Sequence, residues 1–280
     1  MLRTFSSAQP LGVDDYEAAL EICASNPAMN AFVAARLLEG GPAAVGSTLG
    51  VRAGHRLRSI CWAAANVVPV AADDAALDAF ATRLRRHRRR CSSVFGEADQ
   101  VLPLWDRLSR HWGTPRSIRR EQPVLAVSTS PLASGRSIDP RVRAARPDEV
   151  GLVLPASAHM FTEEIGYPPY IGSDREYRRL VSSLIDRGHT YVIVEDGKVV
   201  FKADIGSIAS DVAQIQGVWV APSRRGQGIA TPAMNAVVEH ILARHASTVT
   251  LYVNGFNQAA RRTYAGAGFH QVGTFATIIL

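Results

Sequence analysis

Apolar positions along this chain follow two spacings, and the changes from one to the other outline its elements. Between Asp14 and Leu38 they recur at helical intervals broken at Asn26-Pro27, which predicts two helices. The run Ser59–Val70 holds a buried strand, Ala72–Arg90 reads as a helix, and Ser92–Gly96 is a short strand entering the helix Ala98–Trp112. Glu121–Val127 is a closing strand. The stretch 128–140 is rich in turn formers and has no periodicity, so it predicts a linker between two domains, 1–137 and 138–280.

The second domain is more sharply patterned. A short strand at Val142–Arg146 precedes a helix starting near Pro147-Asp148, and Arg175–Arg187 is a second helix. Asp196-Gly197 between Thr190–Glu195 and Lys198–Ile205 is a hairpin signal, because both residues tolerate the left-handed backbone of a tight turn. Asp211–Val220 is the next strand. In Gly228–Arg244, Ile229, Ala233, Val237 and Ile241 recur every four residues, as on one helix face. A strand at Thr248–Val253, a helix at Asn257–Ala267 and one or two strands in Phe269–Leu280 complete an α/β (α+β) chain.

Composition narrows the class. The 280 residues carry no tract of roughly 20 apolar residues that would span a membrane, and Met1–Ser7 lacks a signal-peptide core, so a cytoplasmic protein is expected. Cys23, Cys61 and Cys91 are too dispersed for a metal or disulfide framework, and they read as buried thiols. No metal is expected. The net charge is +6, and residues 1–137 hold 17 Arg and Lys against 12 Asp and Glu. Much of that excess lies in Arg83–Arg90. Without interleaved aromatics to stack on bases, this run reads as a solvated helix end rather than a nucleic-acid site.

The chemistry concentrates in Val218-Trp219-Val220-Ala221-Pro222-Ser223-Arg224-Arg225-Gly226-Gln227-Gly228-Ile229-Ala230. An apolar strand passes through a basic, glycine-rich turn into a helix. Such a turn aims backbone N–H groups into one concavity, and the helix dipole adds positive potential, so a phosphate-bearing ligand is expected.

Arg225-x-x-Gly228-x-Ala230 between strand and helix resembles the pyrophosphate signature of the GCN5-related N-acetyltransferase (GNAT) superfamily. A second block, Asn257-x-x-Ala260-x-x-x-Tyr264-x-x-x-Gly268-Phe269, resembles that family's later helix-and-strand motif in order and spacing. Together the blocks cover roughly residues 140–280. Trp105-x-x-Leu108 and Arg119-x-x-Gln122-Pro123 resemble, more loosely, the uncharacterised domain preceding the acetyltransferase domain in a two-domain group. The resemblance implies a mixed, mostly antiparallel, splayed sheet flanked by helices. It leaves open whether the N-terminal αβ domain is a degenerate unit of the same kind.

The resemblance implies acetyl-CoA as co-substrate and direct transfer to a primary amine on a small molecule or peptide. Arg224, Arg225, Gly226, Gln227, Gly228, Ile229 and Ala230 would cradle the pyrophosphate. Val218, Trp219 and Val220 would lie beside the pantetheine arm, with a bulge at Gly217 and a free N–H near Val220 for the oxyanion. Asn257 either touches the pantetheine or caps its helix, and Ala260 lies on the same helix. Tyr264 is the candidate general acid, or a ring packed on the sheet.

Gln214 stands where several relatives have glutamate, so Glu164 is the first candidate for the general base, with Glu163, Asp204 and His159 nearby. Tyr167-Pro168-Pro169-Tyr170 either lines the acceptor pocket or is a rigid loop. Pro232 removes one donor from the first turns of its helix. A CoA-ester sensor with little turnover is the competing expectation, and the chain is compatible with a homodimer.

Overall fold

The structure, a computed structural model, describes residues 7–86 and 91–280. Its contacts divide into two compact units that are not consecutive in sequence. One comprises residues up to Leu125 with Tyr252–Asn257 and Gln271–Leu280; the other comprises Ala126–Leu251 with Gln258–His270. The second unit therefore takes in the expected linker, and the final strand belongs to the first. No helix among the described residues is long and apolar enough to cross a membrane.

The first unit contains β1 (Gln9–Pro10), α1 (Tyr16–Ala24), α2 (Pro27–Gly40), β2 (Thr48–Ala53), β3 (Arg56–Ala63), β4 (Asn66–Val70), α3 (Asp74–Leu84), β5 (Ser93–Glu97), α4 (Ala98–Trp112) and most of β6 (Ser117–Val127). Pro27 opens α2, where a missing N–H costs nothing. Asp73 caps α3 by accepting from the Ala76 N–H at 2.9 Å. Trp112 donates its Nε1–H to Leu84 O at 3.2 Å, tying the end of α4 to the end of α3.

The single strand expected in Ser59–Val70 is the end of β3 and all of β4, joined through Ala64-Ala65, which carries neither glycine nor proline to mark a turn. The expected helix Ala72–Arg90 ends at Leu84, and His87–Arg90 of the basic run lie outside the described residues. Cys23 and Cys61 are buried, and burial pushes the Cys23 thiol up to about 12; Cys91, expected to be buried, is half-exposed.

The second unit contains β7 (Arg143–Ala144), α5 (Val150–Ile165), α6 (Arg175–Asp186), β8 (Thr190–Glu195), β9 (Lys198–Ala209), β10 (Val212–Val220), α7 (Ala230–Arg244), β11 (Thr248–Tyr252) and α8 (Gln258–Gly266). Its strands run in the order β11-β10-β9-β8-β7, antiparallel except for the β10–β11 pair. One core joins Val153, Leu154 and Ala156 of α5 to Val181 and Ile185 of α6 and to Val192, Val199 and Trp219 of the sheet. The last strand, β12 (His270–Ile279), is continuous and pairs antiparallel with β5 in the first unit, from Phe275↔Glu97 to Ile279↔Ser93.

The turn-rich segment 128–140 is held down along α7. Ser130 Oγ donates to Glu239 at 2.7 Å, Asn235 Nδ2 to Ser137 O at 2.8 Å, and the Asp139 N–H to Pro232 O at 2.9 Å. Its lack of periodicity reflects a path fixed by hydrogen bonds rather than by an apolar face. Contacts change allegiance near Leu125/Ala126, whereas the composition shift suggested 137/138.

The start of α5 is anchored by one buried carboxylate. Glu149 accepts from both terminal nitrogens of Arg143 at 2.7 Å and from the Arg146 N–H at 2.8 Å, and it forms an ion pair with the Arg146 guanidinium at 2.9 Å. The bidentate Arg143 bond, with the Arg146 N–H and both charges assisting, outweighs burial and holds its pKa at about 2 against an ordinary 4.5. The depressed pKa stabilises the fold fully above pH ~4.5, and the contribution fades as pH falls towards ~2. Glu149→Gln is expected to lower stability at neutral pH by about 1–3 kcal/mol. Denaturant melts from pH 7 to 3 should show that the gap to wild type narrows as pH falls; a constant gap would contradict the assignment.

Candidate active site

β10 is the element on which the site is built. Gln216 pairs with Asp204 and Trp219 with Lys202, so two residues, Gly217 and Val218, stand opposite the single residue Ala203. Gly217 has φ +62°, a region where a side chain is strained. A Cβ there would lie 3.0 Å from Asp204 Oδ2 and 3.1 Å from both Lys202 Nζ and Met160 Cε. Conformation and space both call for glycine at the bulge.

Beyond the bulge the Ala221 N–H donates to Val200 O on β9 at 2.9 Å. N–H groups alternate in direction along an antiparallel strand, so that of Val220 points to the opposite edge. The Gly217 carbonyl accepts from Lys202 Nζ at 3.3 Å; its peptide is trans, so the Val218 N–H points away from Lys202. On that opposite edge the β11 pairing comprises Val212↔Thr248, Ala213↔Val249 and Gln214↔Thr250, and among the described residues it ends there. The pairing thus stops four residues before Val218, and the alternation turns the Val218 and Val220 amides towards the edge it leaves unpaired. Trp219 differs from its neighbours: its side chain is buried in the α5–α6 core, its ring 5.7 Å from His159.

The strand then enters the turn. Gly226 and Gly228 have φ +76° and +75°, and a Cβ on either would meet nothing within 4 Å. These glycines shape the backbone and leave its concave side open. No side chain caps α7, so its first N–H groups keep the donor capacity that an intrahelical acceptor would satisfy further along. Pro232 lacks one of those donors, and the Ala233 N–H already bonds to Ile229 O at 3.2 Å. The donor capacity of this helix start therefore lies before Pro232.

Both arginines of the turn are occupied. Arg224 pairs with Glu195 and donates Nε–H to Gln227 Oε1 at 3.0 Å. Arg225 donates to Val220 O at 3.0 Å and to Glu163 Oε2 at 2.7 Å, and its guanidinium holds the Glu163 carboxyl below the usual carboxylate range. The added positive charge expected of these side chains is thus largely matched by carboxylates, and they brace the turn against β10, α5 and β8.

α8 packs at the start of α7, where a Cβ on Gly266 would meet Thr231 Cγ2 at 3.0 Å. It buries Tyr264, 7 % exposed, with its ring 5.9 Å from that of Phe269. Gly268, at φ +86°, reverses the chain so that the Phe269 N–H returns to Tyr264 O at 3.0 Å. Burial first, and the charge of Glu164 second, push the Tyr264 hydroxyl well above its ordinary value of 10. The second effect places the exposed Glu164, near the end of α5, within electrostatic reach of Tyr264. Ala260 is half-buried one turn earlier on α8. Asn257 is exposed just before α8, its N–H bonded to Asn254 O at 2.8 Å, within a segment that packs with the first unit. Gln122 accounts for one of the looser N-terminal motifs: it donates to Asn254 Oδ1 at 2.9 Å and accepts from Thr277 at 2.6 Å.

The candidate bases differ in setting. Asp204 is buried in an ion pair with Lys202 and accepts from Thr190 Oγ1 at 2.9 Å. Glu163 is tied to Arg225. Gln214 is buried, and its Nε2, like Thr250 Oγ1 beside it, finds no partner among the described residues. His159 lines a cavity of about 260 Å³ between α5 and the β8–β9 turn. Phe161 stacks edge-on with Tyr167 and Tyr177, and Tyr170 lies 6.0 Å from Tyr177, so the loop after α5 is braced by its own rings. Sequence reasoning missed Lys202. Its signal was two opposite charges two residues apart inside the apolar run Val199–Ile205, which places both on one buried face.

Residues 158–269 match the model of the acetyltransferase (GNAT) family, and residues 46–153 match that of a domain of unknown function, DUF4081. No curated protein matches the chain significantly. Among solved structures, a GCN5-related N-acetyltransferase from Sphaerobacter thermophilus is 17 % identical with TM-score 0.60, covering 100 % of this chain and 97 % of its own. A Drosophila protein is 13 % identical with TM-score 0.64, over 98 % and 99 %. A tandem GNAT protein from the clavulanic acid biosynthesis pathway is 14 % identical with TM-score 0.56, over 98 % of both chains. These likenesses concern the fold.

The two kinds of glycine predict different costs. Gly228→Ala meets only left-handed strain and should cost about 1–2 kcal/mol. Gly217→Ala adds a collision with a buried ion pair and should cost clearly more. Thermal melts of both variants test the order, and equal losses would contradict the packing described at the bulge.

Proposed function

Because residues 158–269 form a GNAT acetyltransferase domain, we propose that this chain transfers an acetyl group from acetyl-CoA to a primary amine by direct attack in a ternary complex. The observation that carries this reading is the parting of β10 from β11 at Gln214↔Thr250, with the Val218 and Val220 amides facing the opened edge and the glycine turn directly beyond. An extended, amide-bearing arm fits beside such an edge as an added strand. A pyrophosphate suits the uncapped start of α7 and the concave backbone of Gly226–Ala230, with Arg224 and Arg225 bracing that turn. Acetyl-CoA supplies the activated acyl group as a thioester.

The residues then divide the work. An N–H at the bulge donates to the carbonyl oxygen as negative charge develops there. The amine nitrogen forms the new C–N bond, the C–S bond breaks, and the amine proton leaves through Glu164 or water. Tyr264 faces the departing sulfur as donor. Its raised pKa keeps the hydroxyl protonated well into alkaline solution, so the acid-dependent step should lose no rate as pH rises to about 10. Asn257 and Ala260 take the places that the family resemblance gives them, near the pantetheine or at the start of α8. The whole-chain likeness to a tandem GNAT protein supports reading the N-terminal unit as a degenerate relative of the same fold.

One observation favours a second reading, a CoA-ester sensor: Gln214, which cannot act as a base, is buried with its amide nitrogen unpartnered. Two measurements separate the readings. Acetyl-CoA at about a hundredfold above Kd should stabilise the fold by roughly 2.7 kcal/mol, and no shift in the melt with any CoA ester would sink both readings. Thiol release with a panel of amines should be seen in wild type and fall about 10²-fold or more in Tyr264→Phe. Binding without release of thiol on any amine would select the sensor.

A further inference from the structure

Beneath the bulge lies a charge cluster to which the reading so far gives no role. Lys202 is fully buried and Asp204 nearly so, and they pair directly. Asp204 is fixed on its other oxygen by Thr190 Oγ1 at 2.9 Å, and Lys202 Nζ also donates to the Gly217 carbonyl at 3.3 Å. Burial, aided by the charges of Asp204 and Tyr170, pushes the Tyr177 hydroxyl up to about 12. Taking two charges out of water costs several kcal/mol, and apolar side chains of similar volume often do as well or better. Stability alone is therefore a poor reason to keep a lysine there.

The direction of its one backbone contact suggests what it does. A trans peptide points its C=O and N–H in opposite senses, and pulling on the oxygen shifts electron density off the nitrogen. A buried ammonium on the Gly217 oxygen makes the Val218 N–H a stronger donor. That N–H points away from β9, towards the edge where β10 and β11 have parted. The Lys202–Asp204 pair also fixes the peptide in place, with Gly217 in its left-handed conformation packed against both charges.

We propose that Lys202, held by Asp204 and Thr190, is a positioning residue that orients and polarises the Gly217–Val218 peptide, so that the Val218 N–H is the principal donor to the thioester oxygen. This rests on the acetyl-transfer reading above and deepens it. Lys202 touches no reacting atom; it acts through one peptide unit, in a water-excluded setting where such polarisation is strong.

The test uses full-length Lys202→Met/Asp204→Asn, which removes both charges together and keeps a partner for Thr190. Thermal melts check the fold. Isotope-edited infrared spectra of bound [1-¹³C]acetyl-CoA report the strength of the hydrogen bond to the carbonyl. Wild type should lower the carbonyl stretch relative to free acetyl-CoA, and the variant should lose most of that shift. Its kcat should fall about tenfold or more, while affinity for CoA itself stays within about threefold. An unchanged band and rate in a folded variant overturns the proposal and leaves acetyl transfer standing. Failure of wild type to bind acetyl-CoA overturns both. If the variant does not fold, the wild-type Val218 amide proton decides: a larger downfield shift with acetyl-CoA than with CoA is expected, and equal shifts overturn the proposal.

Discussion

One extra residue in β10 governs the candidate site. With Gly217 and Val218 set against the single Ala203, the strand bends, and its pairing with β11 ends after Gln214↔Thr250. The backbone amides beyond the bulge are then left facing an open edge within the unit. An unpaired edge is ordinarily a liability, prone to pairing with other chains. Here it is short, lies beside a glycine turn, and follows a residue whose positive φ and close packing disfavour any side chain. The bulge in turn rests on a buried ion pair, so a sheet defect and a charge cluster form one local structure.

The turn shows the same preference for backbone over side chain. Arg224 and Arg225 catch the eye as anion ligands, yet both are bound to carboxylates, Glu195 and Glu163. They hold the turn to β8 and α5, and the proposed function leaves the anion to peptide N–H groups of the turn and of the uncapped helix start. Such donors are fixed by the fold, carry no rotamer entropy, and need little rearrangement to meet a diphosphate.

Much of this was legible in the residues. Asp196-Gly197 marked its hairpin and the fourfold spacing from Ile229 to Ile241 marked α7, because local backbone chemistry decides both; the bulge at Gly217 was legible only through the family resemblance. The β3–β4 turn was not legible, since Ala64-Ala65 has no turn-forming side chain. Nor was the return of β12 to the first unit, because strand partners far apart in sequence leave no local trace. Lys202 was overlooked for a different reason. A charged residue reads as surface, and only pairing with Asp204 two positions on, on a face covered by α5 and α6, turns it inwards. The expected linker was tied down by hydrogen bonds to α7, which composition does not reveal.

In the proposed function the parted edge of β10 and the glycine turn together receive acetyl-CoA. A crystal structure of the protein with acetyl-CoA tests it most directly. The pyrophosphate is expected against the amides of Gly226–Ala230 and the pantetheine arm along Val218–Val220, with the thioester at the bulge. A coenzyme bound elsewhere, for instance in the cavity beside His159, with the β10 edge untouched, would contradict it.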